Sequence, residues 1–454
     1  MANTLAVIEP ATEAVLEELP RAGVEEVDAA VDRAAAALPG WRALAPAARA
    51  ERLRALADTL ADHHDELAQL EARNAGKPIG DARGEMQMVI DTFRYYSAAP
   101  ERLLGDTIPV PGGEAFTVRE PLGVVGLIVP WNFPLTIAAW KLGPALAAGN
   151  TVVLKPAELT PLTAVRFESL ALEAGIPEGV VNVVVGPGSV CGRRLVEHPD
   201  VAKIAFTGST EVGRQIAAGA AQTIKRVTLE LGGKSANIVF ADADLAAAAD
   251  SAPMAAFGNA GQDCCARSRI LVQRSALDQF MSLLEEAVEQ IRVGDPLDES
   301  TQMGPLISAG QRQTVSSYVG PDAPVAIRGQ APDGPGYWYP PTVLCPVEVD
   351  DRAVREEIFG PVACVIPFRD EEEAVRLAND TIYGLSGSIW TRDGARALRV
   401  ARAVETGVLS INSNTSVRVA TPFGGFKQSG YGRELGSHAL DAYTEVKSIF
   451  FATT

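Results

Sequence analysis

The stretch GVVGLIVPWNFPLTIAAWKLGPALAAGNTVVLK, residues 123–155, sets two short valine-rich apolar runs, GVVGLIV and TVVLK, on either side of a helical segment. Such runs are too short for helices. Read as strands, they are apolar along their whole length, as strands buried on both faces must be. The alternation continues through VVNVVV, VAKIAF and VTLEL as far as Gly233. Strands of this kind joined by helices predict an α/β domain with a parallel sheet covered on both sides.

After Gly233 the pattern restarts with ANIVFADAD, SRILVQ, a helix near Gln279 to Ile291, PVACVIPF and GSIWT, which predicts a second α/β domain. With 454 residues, 47% of them hydrophobic, the chain has enough apolar surface for two or three cores. Upstream, Leu53, Leu56, Leu60, Leu67 and Leu70 recur at helical spacing, and NAGKP closes the segment, so Pro46 to Gly76 reads as one long amphipathic helix. Two pieces fit neither domain: GDTIPVPGGEAFTVREP, which reads as a hairpin, and the terminal YTEVKSIFFATT, which reads as a strand. Exposed edges of this kind invite pairing with another subunit.

The formal charge of −17 repels phosphate backbones and anionic lipid surfaces, so neither nucleic acid nor a membrane is expected as a partner. A small molecule is expected instead. No apolar run is long enough for a membrane span, and the N-terminus lacks a basic region followed by an apolar one. Five cysteines without a CxxC pair make no disulfide framework, which places the chain in a reducing, cytoplasmic setting. His63, His64, His198 and His438 have no second His or Cys at ligand spacing; they are expected to be solvated, and no metal is expected.

In IAFTGSTEVGRQIAAGAA, Gly208 and Gly213 follow a strand and open a helix, where backbone N–H groups can face a phosphate. The fingerprint is incomplete, because Thr210 stands where its second glycine belongs. An acid about 20 residues further on should hold a ribose. Glu230 nearly answers that description, so this motif alone makes Glu230 a ribose ligand; a plain strand-to-helix turn is an equally good reading.

Four blocks taken together change the assignment: VPWNFPL with Asn132, LELGGKS with Glu230, NAGQDCC with Cys264 and EEIFGPV with Glu357. In this order they resemble the aldehyde dehydrogenase superfamily. The resemblance runs from about Pro10 to the C-terminus and includes KPAE, FTGST, NDTIYGLS and PFGGFKQSGYGRELG. It implies that Cys264, two places after the Gln of the GQxC motif, is the nucleophile, and that its neighbour Cys265 has a packing role. Glu230, 34 residues earlier, then becomes the base that activates water. The ribose acid passes to Glu158.

Such a cysteine suits aldehyde oxidation, because its thiolate adds to the carbonyl and leaves readily from the thioester that follows. The resemblance implies an oxyanion donor at Asn132 and a proton relay of Lys141 and Glu434 behind Glu230. It implies a cofactor, NAD in preference to NADP, held along Ile128, Pro130, Trp131, Lys155, Glu158, Gly188, Gly208, Ser209 and Gly232. Glu357 would hold the nicotinamide ribose and Phe359 would pack beside the ring.

The implied fold is a Rossmann-like cofactor domain (1–101 and 122–232), a catalytic α/β domain (233–428) and a small β oligomerisation element (102–121 and 440–454), forming a homodimer or homotetramer. Substrate-lining positions would be Phe133, Trp140, Asp263, Val417 and Phe423, with Asn414 near them. Asp263 favours an ω-aminoaldehyde, since a carboxylate attracts an ammonium group; Arg267 and Arg418 would instead favour a carboxylate-bearing semialdehyde. A quaternary ammonium wants an aromatic cage, which Asn414 and Val417 do not offer. A general aliphatic aldehyde dehydrogenase, a CoA-acylating relative and a non-catalytic member are the other readings. The Glu230 base argues for hydrolysis, and the thiol, amide and base together argue for catalysis.

Overall fold

The computed structural model describes residues 4–415 and 417–453, so the outermost residues of the first and last expected ranges, 1–3 and 454, lie outside the described residues. The opening stretch forms the strands Val124–Ile128 and Thr151–Lys155 around the helix Pro134–Ala147. With Val181–Val183, Val201–Thr207 and Arg226–Glu230 they make a parallel sheet whose spatial order is fifth, fourth, first, second, third strand. The two-residue strand Gly430–Tyr431 adds antiparallel to the fifth.

Alternate residues of these strands enter two different cores. Val125, Leu127, Val152 and Leu154 pack on one face, and Val124, Ile128, Val153 and Ile204 on the other. Burial of both faces is why the strands read as unbroken apolar runs. The chain reverses direction across the sheet between Val124–Ile128 and Val201–Thr207, and a crevice opens there at the carboxyl ends of the strands. The fold therefore puts the loops after Ile128 and Thr207 side by side.

The second sheet has seven strands in the order Val325–Arg328, Thr342–Leu344, Val362–Phe368, Arg269–Gln273, Ala236–Val239, Ser386–Trp390 and Val408–Ile411, parallel except for the first pair. It has its own core. The predicted hairpin and terminal strand pair with each other: Thr444–Ala452 runs antiparallel to Gly113–Pro121, which pairs in turn with Thr107–Val110. Val446, Phe450 and Phe451 on this ribbon are exposed.

Two expectations are corrected. The Pro46 to Gly76 segment is two helices, Pro46–Asp62 and His64–Ala75, that break at His63 (φ −103°, ψ 18°). Both halves pack on the helix Ile79–Ser97 and reach the helix Leu162–Glu173. Gly76 caps the second with φ +76°, as NAGKP implies. His198 is buried rather than solvated; its Nδ1 accepts from the Asp200 backbone N–H at 3.2 Å.

Candidate active site

The loop after the strand Val124–Ile128 carries Pro130, Trp131 and Asn132, and Pro134 starts the next helix where its missing N–H is not needed. Asn132 is buried. Its backbone carbonyl accepts from Lys77 Nζ and Asn259 Nδ2, both at 3.0 Å, while its own Nδ2 donates to the Gln262 carbonyl at 2.9 Å. An amide nitrogen has two hydrogens, so one holds the side chain in place and the second remains for a ligand.

The segment before Cys264 is strained. Asn259 and Ala260 have φ +53° and +55°, and Gly261 follows at +68°. A side chain at Gly261 would lie 2.2 Å from the Gly360 carbonyl oxygen. Left-handed backbone at a non-glycine residue costs about 1–2 kcal/mol and persists only where its surroundings enforce it. Here Gln262 enforces it: its side-chain amide donates to the Asn259 carbonyl at 3.1 Å and its Oε1 accepts from Ile307 N–H at 2.8 Å.

Two cavities meet at Cys264. The one of about 340 Å³ is lined by Phe133, Trp140, Asp263, Val417 and Phe423, and also by Glu230, Glu434 and Asn414. The other, of about 230 Å³, is lined by Pro130, Trp131, Asn132, Gly208, Ser209 and Gly232, with Glu357 and Phe359. The structure thus gathers Asn132, Glu230 and Cys264 around one junction, from two loops and the end of the strand Arg226–Glu230, far apart in the chain.

On the second side, Phe359 (φ +54°) stands edge-on to Trp131 with ring centres 5.1 Å apart. Glu357 Oε1 accepts from the Gly233 N–H at 2.9 Å, and burial pushes its carboxyl up to about 7. A Cβ at Gly232 would lie 2.2 Å from Glu357 Oε2, so a side chain there would displace that carboxylate. Ser209 caps the helix Thr210–Ala221, its hydroxyl accepting from Val212 N–H at 3.3 Å. Further along the strand ends, Ile128 and Gly188 border an apolar cleft of about 600 Å³ with Phe206, Val212 and Ile216. Lys155 abuts this cleft through Gly192, whose added Cβ would lie 3.7 Å from the lysine Cδ. Glu158 is outside the lining and pairs with Arg21 at 3.6 Å.

Behind the first cavity, the Glu230 carboxyl is buried and neither oxygen has a partner among the described residues. Burial pushes its pKa well above the usual carboxylate range; Glu434 adds to this, and Lys141 and Arg433 oppose it. Lys141 Nζ, itself buried, is bonded to Glu434 Oε1. The Cys264 thiol is pushed well up by its hydrogen bond with Cys265, then by burial and by the nearby Asp263 and Glu357. These influences all disfavour the thiolate, the form that acts as nucleophile. The ligand-type atoms of Asp263, Cys264 and Cys265 all lie within 4.8 Å of one another.

Asp263 turns partly back on its own loop, its Oδ1 accepting from Cys265 N–H at 2.8 Å, and burial pushes its carboxyl up. Arg267 lines the cavity, whereas Arg418 is exposed and does not. Asn414 lines the cavity with its amide engaged: Oδ1 accepts from Ser388 Oγ at 2.6 Å and Nδ2 donates to Ser251 Oγ at 3.0 Å.

Sequence reasoning missed four contributors. Lys77, in NAGKP, reads as part of a helix stop, yet its ammonium pairs with Glu85 at 2.5 Å and lies 4.5 Å from the centre of the Phe133 ring. Glu85 itself lines the first cavity, with Met88, and burial pushes its carboxyl up to about 8. Gln262 served only as a marker of the GQxC motif. Ser429 ties the Gly232 carbonyl at 2.6 Å, and no motif singled it out.

Among known proteins, the aldehyde dehydrogenase family model matches residues 1–449. The chain is 45% identical to phenylacetaldehyde dehydrogenase of Pseudomonas fluorescens, covering 99% of this chain and 93% of that protein. It is 41% identical to betaine aldehyde dehydrogenase 1 of Oryza sativa subsp. japonica, covering 99% and 92%. The solved structure of betaine aldehyde dehydrogenase from Staphylococcus aureus in complex with NAD+ superposes with a TM-score of 0.97 at 38% identity, covering 100% of this chain and 92% of that one. The NAD+ complex of an aldehyde dehydrogenase from Bacillus cereus gives 0.97 at 43% identity, covering 99% and 94%.

Proposed function

Because the chain belongs to the aldehyde dehydrogenase family, we propose that it oxidises an aldehyde to the free acid through a covalent adduct on Cys264, released by water that Glu230 activates. It is an NAD(P)-dependent aldehyde dehydrogenase. The observation that carries the mechanism is the position of one thiol at the junction of two cavities, with Glu230 lining the first and Asn132, Glu357 and Phe359 the second.

NAD fits the second side. The close approach of Gly232 to the Glu357 carboxylate, the apolar cleft at Ile128 and Gly188, and the capped helix at Ser209 suit a dinucleotide. When bound it supplies the two-electron acceptor. In this reading Glu357 holds the nicotinamide ribose, Trp131 and Phe359 wall the ring, and Lys155 and Glu158 serve the adenosine ribose. NAD is preferred over NADP, since a carboxylate at Glu158 accepts from ribose hydroxyls and repels a 2′-phosphate.

The Cys264 thiol gives up its proton to solvent water, and the resulting thiolate adds to the carbonyl carbon. The free hydrogen of Asn132 Nδ2 and the Cys264 backbone N–H hold the oxyanion while the carbon reaches its tetrahedral form. After oxidation to the thioester, Glu230 takes a proton from water, which attacks the acyl carbon and expels the thiolate. Lys141 and Glu434 take up the proton behind it. We assign 1–101 and 122–232 to cofactor binding and 233–428 to catalysis.

An ω-aminoaldehyde is our first substrate class, supported by the Asp263 carboxyl on the cavity wall. An unsubstituted apolar aldehyde is the second reading, favoured by Met88, Trp140 and Phe423 on the same wall. A screen of NADH formation against aminoaldehydes, semialdehydes, and aliphatic and aromatic aldehydes tests both. Activity with at least one class is expected, with higher kcat/KM for NAD than for NADP. Folded protein silent with every aldehyde contradicts the function, and equal use of NADP contradicts the Glu158 assignment.

We also propose a cytoplasmic homodimer or homotetramer. The cysteines are all unpaired, and the ribbon of Thr444–Ala452 exposes Val446, Phe450 and Phe451 beside 102–121, an apolar edge suited to a second copy. Light scattering at micromolar concentration should give a mass of two or four chains; a monomer mass contradicts this.

A further inference from the structure

Lys77 sits between the helix His64–Ala75 and the helix Ile79–Ser97, is 1% exposed, and lines neither of the two cavities that meet at Cys264. The turn that carries it is clamped. A Cβ at Gly76 would lie 3.0 Å from Pro305, Gly304 packs so closely on the Gly76 carbonyl that a Cβ there would overlap it, and the Ile79 N–H donates to the Pro296 carbonyl at 2.7 Å. Burying an ammonium is costly unless a partner of opposite charge is bonded to it. Glu85, on the helix Ile79–Ser97, is that partner at 2.5 Å.

The ion pair does not exhaust the ammonium. Lys77 Nζ also donates to the Asn132 backbone carbonyl at 3.0 Å and lies 4.5 Å from the centre of the Phe133 ring. One cation on a clamped turn thus touches the residue that carries the oxyanion donor and the next residue, which lines the first cavity. A carbonyl oxygen has two lone pairs. Asn259 Nδ2, from the loop before Cys264, takes the other at 3.0 Å and also donates to the Gln262 carbonyl at 3.2 Å. That same Gln262 carbonyl receives Asn132 Nδ2 at 2.9 Å. The nucleophile's loop therefore holds Asn132 by both its carbonyl and its amide, and Lys77 holds it from the opposite side with a charge-assisted bond, roughly twice as strong as a neutral one.

An oxyanion donor works only when it is already aimed where charge develops, and a misplacement of about 1 Å can cost about 10²-fold in rate. Asn132 stands on a loop between a strand and a helix, a part of the chain that needs outside support to be that exact. Without the Lys77 bond, the peptide joining Asn132 to Phe133 turns about its remaining bond to Asn259, and the Asn132 side chain turns with it. We infer that Lys77 is a positioning residue for the oxyanion donor: by holding the Asn132 carbonyl it aims the second hydrogen of Asn132 Nδ2 at the aldehyde oxygen, and so speeds formation and oxidation of the Cys264 adduct. This inference rests on the reading of Asn132 as that donor. Since Lys77 lines neither cavity, its effect on rate passes through Asn132.

Lys77→Met, Asn132→Ala and the double variant test the inference. For each, melting temperature, NAD dissociation constant and the rate of the first-turnover burst of NADH are measured, the last at a saturating level of an aldehyde that the wild type accepts. Lys77→Met should slow the burst about tenfold, a part of the 10²–10³ that losing such a donor costs, with NAD affinity unchanged. In the Asn132→Ala background the same substitution should slow it by no more than about twofold, because the donor it aims is gone. A lysine that only supports the fold would slow both backgrounds alike. If Lys77→Met does not fold, Lys77→Met with Glu85→Gln takes its place in both backgrounds, leaving no carboxylate buried beside a lost cation. A wild-type burst in Lys77→Met, or an equal loss in the two backgrounds, overturns the inference. A wild-type burst in Asn132→Ala overturns the reading beneath it, a separate result.

Discussion

Cys264→Ala is expected to give folded protein that binds NAD and forms no NADH with any aldehyde that the wild type accepts. Without the thiolate the carbonyl carbon never becomes tetrahedral, so no electron pair is driven toward the acceptor, and the Asn132 amide has no oxyanion to stabilise. Cys265→Ala should retain most activity, because Cys265 lines the cavity wall without a role in the steps above. It should also ease ionisation of Cys264, since the hydrogen bond with Cys265 is the largest influence pushing that thiol up. Stopped-flow absorbance with saturating NAD distinguishes the two variants in one experiment. NADH from Cys264→Ala at a wild-type rate contradicts the assignment.

The second large effect is expected from Glu230→Gln. The thioester should still form and release one equivalent of NADH per active site, after which turnover should slow by about 10²–10⁴, the usual contribution of a positioned base. In the wild type, only the ionised form of Glu230 accepts a proton, and its pKa is raised. Turnover should therefore rise as pH increases through that raised value and level off above it, whereas Glu230→Gln should lose this limb. A ribose ligand behaves otherwise: its loss weakens NAD binding and leaves release of the acid intact. Rapid mixing and the dependence on NAD concentration separate the two roles, and normal turnover at saturating NAD excludes the base.

The parallel strands were legible because both of their faces are buried, which favours Val, Ile and Leu along them. The break at His63 was not legible, since neither Gly nor Pro marks it. The strand Gly430–Tyr431 is too short to leave a pattern. At the site, Asn132 and Cys264 could be read from motifs. The local glycine fingerprint puts Glu230 on a ribose, whereas its carboxyl lines the first cavity and not the second; spacing along the chain cannot tell which cavity a strand end faces. Lys77 left no signal. A buried lysine looks like any surface lysine until the groups around it are known, and those groups come from distant segments.

The central claim is that the acyl group is carried by Cys264 and awaits Glu230. The most direct test is to mix Glu230→Gln enzyme with NAD and an accepted aldehyde, quench in acid after the burst, and map the mass of the peptide that contains Gln262 to Ala266. The account predicts one acyl adduct per active chain, on Cys264, accumulating in step with the burst of NADH. An adduct on Cys265 with Cys264 unmodified, or a burst with no adduct on any cysteine, would contradict it.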